Sequence, residues 1–179
     1  MTTPPYAPPT DAELDVVSVQ LGRAARGVVG IAARCVCGNP TVVATNPRLP
    51  DGTPFPTFYY LTHPAATAAM STLEATQVMP ELAALLDDAE TSGSYRRAHE
   101  AYLADRARFG EVAEIDGVSA GGMPTRVKCL HALAGHALAA GPGVNPIGDE
   151  ALRRSWWSPE KCECAQPGAA ARPGAAEAE

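Results

Sequence analysis

Polar and apolar positions change period several times along the chain. From Thr10, TDAELDVVSVQLGR sets Leu14, Val17 and Leu21 on one helical face behind a capping threonine and early acids, predicting a helix that ends near Gly22. GVVGIAARC (27–35) and TVVAT (41–45) are β-branched runs split by CGNP, which predicts a hairpin with two cysteines at its turn. TFYYLT (57–62) reads as a third strand, reached through NPRLPDGTPFP, a proline-rich loop. After His63, Pro64 opens a helical pattern that is expected to break at Pro80 into two helices. SYRRAHEAYLADRARFG predicts a further helix stopping at Gly110, and PTRVKCLHALAGHALAAG a strong one with Pro124 near its start and Gly141 past its end. GPGVNPIGDEALRRS adds a short helix. No internal repeat is visible. The expectation is α+β, a small antiparallel sheet of about three strands flanked by about five helices.

Composition narrows this picture. Of the 179 residues 34 are alanine, whereas Leu, Ile, Val and Phe together number 32, so the core must be small and packed with alanine. Residues 1–10 hold four prolines and AQPGAAARPGAAEAE (165–179) is low in complexity, so the ends are expected to be disordered around one globular domain at 11–160, with 161–179 as a tail. A net charge of −6 gives no indication of nucleic-acid binding. No apolar run approaches ~18 residues and the first residues lack the features of a secretory signal, which predicts a cytoplasmic protein without a membrane span. In that compartment the five cysteines are expected to be reduced, favouring metal binding or thiol chemistry over disulfides.

Cys35 and Cys37 in RCVCGNP are the sharpest feature, because thiolates two apart before a turn glycine can converge on one ion. Two small half-buried hydrophobes would read the same way. Cys129, beside Arg126 and Lys128 in the expected first turn of the strong helix, is the natural third ligand, and His63 at a strand end the fourth. The predicted metal set is therefore Cys35, Cys37, His63 and Cys129. His131 lies about 200° round a regular helix from Cys129, so the two could share an ion only if the helix begins irregularly; His136 is roughly 10 Å along the axis. Cys162 and Cys164 form a second C-x-C, which with the first would complete a four-thiolate site, but they border the expected tail and rank as secondary candidates with His131 and His136. SAGGMPTR before the strong helix, with Arg126 and Lys128, is a candidate anion seat. Asp149 and Glu150 read as caps before bases, and His99 as solvent-facing.

These strings, from LGRAARGVVGIAARCVCGNP through LPDGTPFPTFYYLTHP to SAGGMPTRVKCLHALAGHALAAGPGVNPIGDEAL, resemble the bacterial domain of unknown function family 501 over roughly residues 21–152. The resemblance implies a bacterial cytoplasmic protein and carries no activity. It implies that Cys35, Cys37, Cys129 and His131 stand at family positions and that Cys replaces His63 in relatives, while Cys162 and Cys164 fall outside the matched region. Genes of the family lie near those of enolase, a septum-formation initiator and an exopolyphosphatase, which implies a possible protein partner. Three functions follow: a metal-binding protein with structural zinc; an enzyme using zinc or an iron–sulfur cluster on an anionic or phosphorylated substrate near Arg126 and Lys128; and an interaction module linked to cell division.

Overall fold

The computed structural model describes residues 6–171. Helix α1 spans Asp11–Leu21, starting in a capping box between Thr10 and Glu13 and stopping at the left-handed Gly22. Strands β1 (Val28–Arg34), β2 (Pro40–Thr45) and β3 (Tyr59–Leu61) form an antiparallel sheet in that order. Helices α2 (Pro64–Glu74), α3 (Val78–Ala84), α4 (Ala89–Ala107), α5 (Leu130–Ala140) and α6 (Pro146–Arg154) follow, giving six α-helices among the described residues. No helix among them is long and apolar enough to cross a membrane. The α+β architecture matches the sequence pattern.

Alanine and glycine let backbones approach closely. Helix α5 lies across the sheet, mainly over β3, and packs α6 on its other side. A Cβ on Gly148 would strike the Leu133 carbonyl, so glycine is what lets α6 seat against α5. Phe58, Tyr59, Tyr102 and His136 form the aromatic centre, where the His136 ring stacks on Tyr59 at 5.4 Å. The Tyr102 hydroxyl receives the Phe58 N–H at 2.5 Å and donates to the Pro56 carbonyl at 3.1 Å. Buried Arg106 donates to the carbonyls of Val118 (2.5 Å) and Ile115 (2.8 Å), so a cation holds the loop after α4 by its backbone.

Two element boundaries differ from expectation. The break between α2 and α3 falls at residues 75–77, ahead of Pro80, because a proline in the first turn of α3 gives up only an amide that has no helical partner. Helix α5 begins at Leu130, well after Pro124. Gly121 and Gly122 adopt positive φ and fold the chain back, so that their carbonyls take the amides of Lys128 (2.8 Å) and Arg126 (2.9 Å). Cys129 is consequently extended, at φ −143° and ψ 111°, and stands at the cap. Arg126 and Lys128 precede the helix, so the candidate anion seat is not built on a helical first turn.

Toward the ends, the described residues pack against the domain. The Tyr6 hydroxyl lies 2.9 Å from that of Tyr59, against whose ring it packs edge-on. Residues 162–171 return to the hairpin, with a 3₁₀ turn at Ala169–Ala171 beside α1. The expectation of disorder for residues 1–5 and 172–179 lies outside the described residues.

His136 makes stability depend on pH. Burial pulls its pKa down to about 4, while in the unfolded chain it titrates near the ordinary ~6.5. Between those values the unfolded state takes up a proton that the folded state refuses, so stability falls as pH drops and levels off below about 4. The full effect is of order 3 kcal/mol. Urea unfolding at pH 7.5 and pH 4.5 should therefore show a smaller pH dependence for His136→Gln than for the unaltered chain.

Candidate metal centre

The hairpin turn is a knuckle. The Cys35 amide donates to the Asn39 carbonyl at 2.9 Å and the Gly38 amide to the Cys35 carbonyl at 2.8 Å, with Gly38 at φ +92°, where a side chain would be strained. Both sulfurs thereby turn to one side. Beyond α6, Trp157 is buried against the His63 ring at 5.4 Å, and the chain runs back to bring Cys162 and Cys164 over the knuckle. The Sγ atoms of Cys35, Cys37, Cys162 and Cys164 all lie within 4.8 Å of one another. Cys37 and Cys164 are 3.6 Å apart. Tetrahedral zinc with bonds of about 2.3 Å requires an edge of ~3.8 Å. All five cysteines are free thiols, so four sulfurs are placed where they could hold one metal ion.

Asn39 closes this arrangement. It is buried, its side-chain nitrogen donates to the Gln166 carbonyl at 2.7 Å, and its oxygen receives the Ala170 amide at 2.9 Å. Burial pushes the Cys37 thiol up, but the backbone N–H groups of Asn39 and Gly168 outweigh it and bring the thiol down to about 7. Burial raises Cys35 and Cys164. One thiol pulled down beside two pushed up is what crowding of potential negative charges produces without a cation between them.

His63 lies beside the cluster. The amides of Thr62 and His63 donate to the Thr41 carbonyl at 2.9 and 3.3 Å, tying the end of β3 to the start of β2 next to the knuckle. Its Nδ1 caps α2 by accepting the Ala66 amide at 3.4 Å. That assigns the proton to Nε2, which lies 3.3 Å from Cys164 Sγ and can donate to it. Burial lowers the His63 pKa, consistent with a neutral ring. The geometry gives His63 the part of a hydrogen-bond donor to a ligating sulfur.

Cys129 belongs elsewhere. It groups with Glu74 and His131, whose ligand atoms also lie within 4.8 Å of one another. His63 caps the first turn of α2 and Glu74 is its last residue, so 11 residues of helix separate the two places by about 16 Å. The predicted combination of Cys35, Cys37, His63 and Cys129 is thus divided between the two ends of α2. His131 does meet Cys129, at 3.9 Å, because the helix starts irregularly and Cys129 precedes it. The Cys129 sulfur raises His131, burial opposes this, and Glu74 adds to the rise, reaching about 9.

The other candidates resolve simply. His136 is a core residue whose Nδ1 accepts from Asn145 at 3.2 Å, outside both clusters. His99 is half-buried and meets Ser119 at 2.8 Å. Asp149 accepts the Gly143 amide, and Glu150 is held at about 2 by Arg153, with Arg154 contributing, against the opposing effect of burial. Arg126 and Lys128 are exposed and line a cleft of about 640 Å³ with Cys129, His131 and the loop at Gly121 and Gly122. Glu74 was missed because nothing in STLE distinguishes it from any other helical glutamate.

The fastening of residues 165–171 predicts that they are needed. Asn39→Ala removes the two bonds of a buried side chain, to the backbone of exposed Gln166 and half-buried Ala170, and should cost about 1–3 kcal/mol in urea unfolding. A chain ended after Cys164 should melt lower for the same reason, and an unchanged melting temperature would show that the contact contributes nothing.

None of the curated proteins and none of the solved structures compared with this chain matches it. One family does, described as "Protein of unknown function (DUF501)", over residues 31–153. That span contains Cys35, Cys37, His63, Glu74, Cys129 and His131, and ends before Cys162 and Cys164. With 123 of 179 residues matched, the chain belongs to the DUF501 family.

Proposed function

We propose that this protein is a metal-binding protein in which one zinc ion is held by Cys35, Cys37, Cys162 and Cys164. The observation that carries the reading is the convergence of these four sulfurs within 4.8 Å from segments 127 residues apart in sequence. A site of four thiolates selects soft or borderline metals, and the tetrahedral geometry fits zinc without further ligands. Iron is the competing metal for such a set, as a single ion or in a cluster. With four thiolates in place no coordination position stays open, which makes the role structural. The ion would link the hairpin turn to the returning C-terminal segment, and its binding energy would add to the folding energy of a small alanine-rich core.

The purified full-length chain should bring down zinc with it and lose thermal stability in a strong chelator. Replacing both Cys162 and Cys164 by Ser should remove one metal equivalent and lower the melting temperature, as should replacing Cys35 and Cys37. His63→Ala should retain the metal with weaker affinity. Full metal content in the Cys162 and Cys164 double variant would contradict the reading. A brown protein with visible absorbance would assign the site to iron.

A further inference from the structure

We propose that Glu74, Cys129 and His131 form a second, open metal site at the edge of the cleft, taking a divalent ion of the zinc class. This site does not rest on the four-cysteine reading, since it shares no residue with it.

The argument is one of convergence. His131 Nε2 lies 3.1 Å from the Ser71 hydroxyl and 3.1 Å from the Thr67 carbonyl, and because the carbonyl only accepts, that nitrogen carries the proton. Once a metal displaces the second ring proton, the lone pair is on Nδ1, which faces Cys129 Sγ at 3.9 Å and Glu74 Oε1 at 3.2 Å. Three electron-rich atoms thus point to one place, and they repel unless a cation or proton lies between them. Tetrahedral zinc needs separations of about 3.4–3.6 Å between such ligands. A histidine that donates its far N–H to a backbone carbonyl is also oriented as metal-binding histidines are.

A nucleophilic cysteine would be arranged otherwise. In a thiol, imidazole and carboxylate relay, the sulfur and the acid sit on opposite ring nitrogens, so that a proton can leave one side while the other is held. Here both sit on the same nitrogen, and the opposite one meets the Thr67 carbonyl and the Ser71 hydroxyl, neither of them an acid. The arrangement is a poor relay and a good chelate.

Its supports are rigid. Glu74 Oε1 also receives the Leu130 amide at 2.6 Å, fixing the end of α2 to the start of α5. The Tyr95 hydroxyl donates to the Arg126 carbonyl at 3.0 Å, and the Lys128 and Cys129 amides return to Gly121. Three protein ligands leave a fourth position free. Cys129 and His131 line the cleft together with Arg126 and Lys128, so an anionic oxygen donor, a carboxylate or phosphate, is the ligand class that would complete the coordination.

The test uses the full chain, reconstituted with zinc or cobalt(II) under reducing conditions. Two equivalents should bind to the unaltered protein and one to Cys129→Ala or His131→Ala. Glu74→Gln should weaken the second equivalent by at least about 100-fold. Zinc should also protect Cys129 from iodoacetamide, read by peptide mapping, and inorganic phosphate should shift the visible bands of the cobalt form. A single equivalent lost only on replacing Cys162 and Cys164 overturns this site and leaves the four-cysteine reading standing. A single equivalent lost only with Cys129→Ala does the reverse. Alkylation of Cys129 that zinc does not slow overturns the site, and cobalt bands unmoved by phosphate overturn its open position.

Discussion

The return of the chain end to the hairpin turn is the contact on which the organisation of this protein depends. Four sulfurs and one asparagine side chain meet there, and each half of the meeting is incomplete alone. The knuckle offers two thiols, and residues 162–171 have only alanine, cysteine and proline as apolar side chains with which to dock. Side chains this small gain little from hydrophobic burial, so the strength of the contact has to come from coordination and from the hydrogen bonds of the buried Asn39 side chain. His63 joins the same place to α2, since one ring nitrogen caps the helix and the other faces Cys164.

Elsewhere the fold manages with small residues. Close helix packing at Gly148, an aromatic centre stacked on a buried imidazole, and a buried arginine that spends its donors on carbonyls together replace the large aliphatic interior that the composition lacks. The same economy builds the cleft. Its wall is a glycine turn closed on itself and held by Tyr95 and Arg106, and it ends by delivering Cys129 beside the start of α5.

What was legible in the sequence follows from the range of each interaction. The helix from Thr10 to Gly22 and the CGNP hairpin are written in neighbouring residues, through a capping box, a turn glycine and β-branched runs, and they form where those signals place them. The start of α5 lies later than the sequence suggests because Pro124 imitates a helix opening, whereas two positive-φ glycines divert the chain for several residues more. Cys129 itself stands beside Glu74, at the far end of α2 from His63. The equal spacing of Cys35 with Cys37 and Cys162 with Cys164 was visible as a formal four-thiolate set, but its low-complexity surroundings spoke against order. Long-range pairing through Asn39 leaves no local trace, and neither does a helical glutamate that becomes a neighbour of cysteine and histidine only in the fold.

The most direct test of the central claim is a proton–cadmium correlation spectrum of the full chain loaded with ¹¹³Cd and assigned at its cysteine β-protons. The account predicts one cadmium resonance coupled to the β-protons of Cys35, Cys37, Cys162 and Cys164 together. A cadmium coupled to Cys35, Cys37 and Cys129, or the absence of any cadmium coupled to Cys162 and Cys164, would contradict it.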